Sequence, residues 1–229
     1  MIMKKIVNYF GLILLFLFHK NLQAQIFVER AMELGIEHHM YDPSAMGGGV
    51  AIFDFNNDGF EDIYFTGGLN EDKLFENLGD GTFSDVTKKM RITAFSIVKT
   101  MGVVAGDIDN DGFTDLLVTT AEGHPCYLLK NEGGEYFTNI SKAAGIDHIA
   151  WSMTATMADY DLDGDLDIYV GNYVEFSEVP FDQNITNAAE DFFYQNNGNS
   201  TFEKLENPLA YDKRGCGCTA LDVSLFCRR

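Results

Sequence analysis

Three nonapeptides in this chain have the residue types and spacing to hold a cation. They are Asp54-Phe-Asn-Asn-Asp-Gly-Phe-Glu-Asp62, Asp107-Ile-Asp-Asn-Asp-Gly-Phe-Thr-Asp115 and Asp159-Tyr-Asp-Leu-Asp-Gly-Asp-Leu-Asp167. Each reads D-x-[DN]-x-D-G-x-x-D. Side-chain oxygens at positions 1, 3 and 5 can turn inward together, and a glycine at position 6 permits the sharp turn this needs. Position 7 can add its main-chain carbonyl and position 9 a carboxylate. The expected ligands are Asp54, Asn56, Asp58, the carbonyl of Phe60 and Asp62 in the first loop. In the second they are Asp107, Asp109, Asp111, the carbonyl of Phe113 and Asp115. In the third they are Asp159, Asp161, Asp163, the carbonyl of Asp165 and Asp167. Such an all-oxygen set suits calcium, at about three sites. Magnesium keeps water and demands a strict octahedron. Zinc prefers His and Cys, which the loops lack. The first loop has one carboxylate fewer, because Asn56 stands at position 3, so it is expected to bind more weakly.

The flanking sequence argues against an EF-hand, whose loop needs an acid at position 12. That position holds Phe65, Val118 and Val170, each within a run rich in β-branched and aromatic residues that reads as a strand. The loops begin 53 and then 52 residues apart (54 to 107, 107 to 159), and more than the loops repeats. A small-residue strand leads into each: 47–53, 101–106 and 153–158. The apolar run leaves it. A third strand ends in Asn77, Asn131 or Asn196, and a Gly/Asn-rich turn then reaches Phe83, Phe137 or Phe202, where a fourth strand begins. Such turns favour hairpins because they accept positive φ. Four short antiparallel strands per period of about 50 residues compose a β-propeller blade. The expected fold is therefore all-β, an incomplete propeller of about three blades with flanking partial strands. The repeats fall at about 47–99, 100–150 and 151–215, with a broken fourth from 216. Residues 26–36 resemble the outer strand and crossing segment of a preceding blade. Three blades plus fragments point to a truncated chain or part of a longer protein. The recurring phenylalanines are expected between blades.

The first 24 residues read as a secretory signal peptide, with Lys4 and Lys5 before the apolar segment 10–18 and Ala24 at the cleavage position. The domain proper is then 25–229, with no membrane span after cleavage. The expected location is secreted or cell-surface, or periplasmic in a bacterium. The net charge of −19 argues against nucleic acid and anionic membranes as partners. Three calcium ions would add six positive charges and leave about −13. The four cysteines, Cys126, Cys216, Cys218 and Cys227, are expected to be structural thiols or to form one bridge.

Taken together, the three Asp-rich loops, the lead-in Gly47-Gly-Gly-Val-Ala-Ile-Phe-Asp54 and the Asn-x-Gly-x-Gly-x-Phe turns resemble the FG-GAP/VCBS repeat family. Within it they are most similar to the ASPIC/UnbV group. The resemblance runs from Ile26 to about Asp222. It implies an integrin-α-like propeller of seven blades, calcium between the first two strands of a blade, and extracellular binding or adhesion. The leading functional expectation is a secreted calcium-binding module with structural calcium and no catalysis, whose partner is an extracellular protein or a glycan. A lectin-like propeller, or a non-catalytic part of a polysaccharide-processing enzyme, is the alternative. His38, His39, His124 and His148 form no nucleophile or zinc motif. The excursion 173–187, absent from the other repeats, is the candidate partner surface.

Overall fold

Fourteen short strands and one single-turn helix make up the regular structure of the described residues. A computed structural model describes residues 28–43, 47–92, 98–173 and 189–205. The signal segment, nearly all of the 173–187 excursion, Cys216, Cys218, Cys227 and the broken fourth repeat lie outside them. All the strands belong to the compact unit Ala31–Arg229.

The strands form three four-stranded antiparallel sheets, one per repeat, and a two-residue pair. The first sheet runs β1 (Val50–Phe53), β2 (Asp62–Phe65), β3 (Lys73–Asn77) and β4 (Phe83–Asp85). The second runs β5 (Thr100–Gly106), β6 (Asp115–Thr120), β8 (Tyr127–Asn131) and β9 (Phe137–Asn139). The third runs β11 (Ser152–Ala158), β12 (Asp167–Asn172), β13 (Phe192–Asn196) and β14 (Phe202–Leu205). Strand β7 (His124–Pro125) pairs with β10 (Ile149–Ala150), a small tie the sequence did not announce. The segment 141–146 contains the helix α1 (Ser141–Ala144), closed by Gly145 in the left-handed conformation. None of the sheets is closed on itself.

Burial explains why the middle sheet is so apolar. All six residues of β6 are buried. Successive strand side chains point to opposite faces. Leu116, Val118 and Leu129 accordingly join Phe53, Tyr64, Leu74 and Met90 of the first repeat in one core. Leu117 and Leu128 join Ile168, Val170 and Tyr194 of the third repeat in another. A sheet covered on both faces loses the polar alternation of a half-exposed one. Phe137 and Phe202 lie in these two cores, as expected, whereas Phe83 is only half-buried.

The first strands of successive sheets meet backbone to backbone, which accounts for the glycine-rich lead-ins. A Cβ on Gly49 would lie 2.7 Å from the Val103 nitrogen, and one on Gly102 would lie 2.7 Å from the Met153 carbonyl. Thr66 fastens this seam: its hydroxyl accepts from Gly49 N–H at 2.7 Å and donates to the Met101 carbonyl at 2.8 Å. Residues 31–36 occupy a place like that of the later crossing segments. The Leu34 carbonyl accepts from Phe83 N–H at 2.8 Å, as the Met90 carbonyl accepts from Phe137 N–H at 3.0 Å.

Away from the Asp-rich loops, a buried Tyr–Asp pair clamps the turn between the second and third strands. Tyr64 donates to Asp72 at 2.7 Å; Gly67 N–H and the Thr100 hydroxyl of the next sheet also donate to that carboxylate. In the third sheet Tyr169 donates to Asp191 at 2.7 Å. In the middle sheet Leu117 and Cys126 stand at the matching positions, so both polar partners are replaced together. Burial pushes the free Cys126 thiol up to about 11, which makes it a packed, unreactive group. Burial likewise raises the Asp72 carboxyl, although its three hydrogen bonds oppose this. Tyr64→Phe should therefore lower the unfolding free energy by about 1–3 kcal/mol, because a buried carboxylate loses a donor. Urea denaturation reads this directly, and an unchanged midpoint would show that the clamp is dispensable.

Candidate metal centres

Each Asp-rich loop is pinned between the first two strands of its sheet. The last residue of the first strand pairs with the position-9 aspartate: Phe53 with Asp62, Gly106 with Asp115 and Ala158 with Asp167. The chain between them must reverse within eight residues, and all three loops do so in the same way. The position-1 carboxylate accepts the N–H groups of positions 5 and 6. For Asp54 these distances are 3.2 and 2.8 Å, for Asp107 3.2 and 2.9 Å, and for Asp159 3.1 and 3.1 Å. The position-5 carboxylate accepts the N–H of position 7 at 2.9, 2.9 and 3.0 Å in turn. Position 4 is left-handed in every loop, with φ of 58° at Asn57, 58° at Asn110 and 63° at Leu162. Asn tolerates this conformation; a leucine there is strained. The position-6 glycines Gly59, Gly112 and Gly164 also have positive φ.

Position 9 is the buried anchor. Asp62 and Asp115 are fully buried and Asp167 nearly so. One carboxylate oxygen accepts from position 2: Phe55 N–H at 3.1 Å, Ile108 N–H at 2.9 Å and Tyr160 N–H at 2.9 Å. The other accepts from the asparagine that ends the third strand: Asn77 N–H at 2.7 Å, Asn131 N–H at 2.7 Å and Asn196 N–H at 2.8 Å. Burial, aided by repulsion from Asp58 and Asp54, pushes Asp62 up to about 6 despite these donors. Burial and repulsion from Asp109 and Asp111 push Asp115 up to about 7, and Asp167 is raised for the same reasons.

The structure brings together positions 1, 3 and 9. Oxygens of Asp107, Asp109 and Asp115 lie within 4.8 Å of one another, and so do those of Asp159, Asp161 and Asp167. In the first loop Asn56 takes the place of the third carboxylate, its Oδ1 accepting from Asp58 N–H at 3.1 Å. Asp58, Asp111 and Asp163 stay at the rim of the loops, orienting position 7. Phe60, Phe113 and Asp165 at position 7 donate their N–H groups to the position-5 carboxylates. The donor set is all oxygen and carries clustered negative charge. In the second loop, Asp109 Oδ1 is buried without a hydrogen-bond partner among the described residues. Both observations fit a hard cation. Two groups of the described residues could thus hold a metal ion, with the first loop offering an amide oxygen in the third place.

The sequence marks two recurring asparagines as strand ends but does not show what they hold. The asparagines Asn131 and Asn196 tie neighbouring repeats together. Asn131 Nδ2 donates to the Phe55 carbonyl of the preceding loop at 2.8 Å and to Thr114 of its own at 3.1 Å. Asn196 Nδ2 does the same with Ile108 at 2.8 Å and Leu166 at 3.1 Å. Their signal was recurrence at the end of each third strand. The residue just before each, Glu76, Lys130 or Gln195, reaches position 3 of its loop. It changes type in every repeat and so left no pattern to find. Loops also touch directly, through Asn57 Nδ2 to the Gly112 carbonyl at 2.9 Å and Asn110 Nδ2 to Asp165 at 2.8 Å.

These features define an all-β repeat protein in which each sheet carries one Asp-rich loop. The FG-GAP-like repeat profile matches residues 54–118 and again 107–170, together more than half of the 229 residues. The chain belongs to the FG-GAP-like repeat family. It is also similar to cartilage acidic protein 1 of Xenopus tropicalis, 26% identical over 143 residues, which is 62% of this chain and 21% of that protein. Cartilage acidic protein 1 of Mus musculus is 26% identical over 167 residues, 69% of this chain and 25% of that protein. The matched region thus spans no more than a quarter of either relative.

The raised carboxyls fix a pH dependence. Asp62 and Asp115 hold protons in the folded, metal-free chain up to about 6 and about 7, whereas in the unfolded chain they release them near 3.8. Protonation therefore contributes stability that is lost as pH rises through those values. A cation in either loop needs that loop's aspartate deprotonated, so the affinity for a divalent cation, with calcium as the probe, should rise as pH climbs from about 5.5 to 7.5, with protons released on binding. Calorimetry in buffers of different ionisation enthalpy checks this; affinity that is flat across the window would show that these aspartates do not serve the metal.

Proposed function

We propose that the chain is a secreted, calcium-stabilised β-propeller module that binds an extracellular protein or glycan and does no chemistry of its own. Residues 1–24 would be removed on export, and 25–229 would carry three blades (about 47–99, 100–150 and 151–215) with a broken fourth repeat from 216. The observation that carries the reading is the same loop built three times, each around a buried aspartate whose carboxyl burial and like charge raise above the ordinary carboxylate range. Bound at such a loop, calcium supplies positive charge and a fixed coordination shell. Asp54, Asn56, Asp58 and Asp62 would hold it in the first, Asp107, Asp109, Asp111 and Asp115 in the second, and Asp159, Asp161, Asp163 and Asp167 in the third. The main-chain carbonyls of Phe60, Phe113 and Asp165 complete the sets. The unfolded chain has no such sites, so binding energy becomes folding energy.

Several features support binding rather than catalysis. The buried acids serve loops and clamps: Asp62, Asp115 and Asp167 anchor the loops and Asp72 a clamp. His38 stacks on Phe65 and contacts the Thr66 carbonyl at 3.0 Å. His148 lies against Phe192 and Tyr194. Its Nδ1 lies 3.2 Å from the hydroxyl of Tyr194, itself a packed core residue. The family relationship and the name of the relatives, cartilage acidic protein, favour an extracellular, acidic binding protein. No helix among the described residues is long and apolar enough to cross a membrane. Calcium titration of the full chain by calorimetry, with thermal melts in calcium and in chelator, tests the proposal. Binding near three equivalents with a clear gain in melting temperature is expected; the absence of binding to a cooperatively folded chain would sink it.

A further inference from the structure

We propose that the three calcium loops are graded by the third-strand residue that faces position 3, and that Lys130 acts in the second loop as a built-in rival to the metal. This rests on the calcium reading above. The facing residue occupies the same place in each sheet, next to the Asn that holds the position-9 aspartate, yet its charge differs every time. In the first sheet Asn56 Nδ2 donates to Glu76 Oε1 at 3.3 Å, and to Asp58 Oδ2 at 3.1 Å. In the second, Lys130 Nζ is bonded to Asp109 Oδ2 and lies 3.6 Å from Asp111 Oδ2. In the third, Gln195 Nε2 donates to Asp161 Oδ2 at 2.6 Å.

The residue types at the two positions compensate each other. Where position 3 is neutral Asn56, the strand supplies an anion; where it is Asp161, the strand supplies a neutral donor; where it is Asp109, the strand supplies a cation. Counting position 3 with its partner, the charge is −1 in the first loop, 0 in the second and −1 in the third. The loop sequences alone rank the first loop weakest. The partners reorder this: Glu76 returns a negative charge to the first loop, partly offset by Lys89 Nζ at 3.7 Å, and Lys130 removes one from the second. The third loop, with four ligand carboxylates and no cation in ion-pair contact with it among the described residues, should bind tightest.

Lys130 does more than lower the charge. The Ser200 hydroxyl, from the turn of the next repeat, donates to the same Asp109 Oδ2 at 3.1 Å. Oδ2 is thereby saturated, while the buried Oδ1 keeps its lone pairs for a cation. The ammonium thus holds Asp109 in its binding rotamer, neutralises the loop without metal, and joins it to the following repeat. Its side chain is three-quarters buried, so the interaction is only partly screened by solvent. Calcium must then enter against a fixed positive charge. The second loop should be the last to load and the least dependent on metal for its shape.

Calorimetric calcium titration of the full chain, wild type against Lys130→Gln, Lys130→Arg and Gln195→Lys, tests this. Lys130→Gln recreates the third loop's arrangement and should tighten the weakest class of site by about tenfold, the effect of one nearby charge on a divalent ion at a partly exposed site. The same variant should lose more melting temperature in chelator than Lys130→Arg does. Gln195→Lys should weaken the tightest class by a similar factor, and reads the same rule should Lys130→Gln fail to fold. Wild-type binding with all variants within twofold of one another would overturn the grading while leaving the calcium reading intact. Failure of the wild type to bind calcium would overturn both.

Discussion

One buried carboxylate per repeat sets the terms for everything around it. Asp62, Asp115 and Asp167 sit where the first two strands of each sheet part, shielded from water and close to two or more further acids. A carboxylate in such a place is costly unless hydrogen bonds or a cation satisfy it. The loop's second residue and the Asn closing the third strand each give an N–H to it, so one side chain joins three strands. The Asp-rich loop, the strand register and the turn after the third strand all follow from satisfying that group.

The same group links repeat to repeat. Asn131 is held by Asp115 and Thr114 of its own loop, and its amide also reaches back to the carbonyl of Phe55, whose N–H bonds Asp62. Asn196 reaches back to Ile108, whose N–H bonds Asp115. A continuous polar path therefore runs beneath all three loops, parallel to the apolar cores between the sheets. The cores set how closely the sheets approach, and the glycines Gly49 and Gly102 allow the first strands to meet. The polar path sets their register. Cations at the loops, as proposed, would add their binding energy to a frame that the protein's own hydrogen bonds have already positioned.

The sequence showed the frame clearly because it repeats. Strands, loops and turns recur with one period, and their observed bounds differ from the expected ones by a few residues, as with β1 at Val50–Phe53 where the lead-in began at Gly47. The buried phenylalanines Phe137 and Phe202 were legible for the same reason. Features that change between repeats were not. The Tyr64–Asp72 and Tyr169–Asp191 clamps vanish in the middle repeat, where Leu117 and Cys126 replace both partners with apolar packing. Glu76, Lys130 and Gln195 share a place but no chemistry, so only their distances to position 3 reveal a role. Leu162 follows the loop's backbone despite being a poor residue for a left-handed turn, which shows that the surrounding hydrogen bonds, rather than local propensity, dictate the loop's shape.

Whether the loops hold calcium can be seen directly in a crystal of the full chain grown in calcium, from the anomalous signal collected at long wavelength. Three peaks are expected, each bounded by the side chains of positions 1, 3, 5 and 9 and the carbonyl of position 7, with the second the least occupied at limiting calcium. Ordered loops with water or Lys130 alone among the carboxylates, at calcium concentrations that saturate ordinary extracellular sites, would contradict a metal role. The buried aspartates would then be satisfied by the protein's own donors and protons.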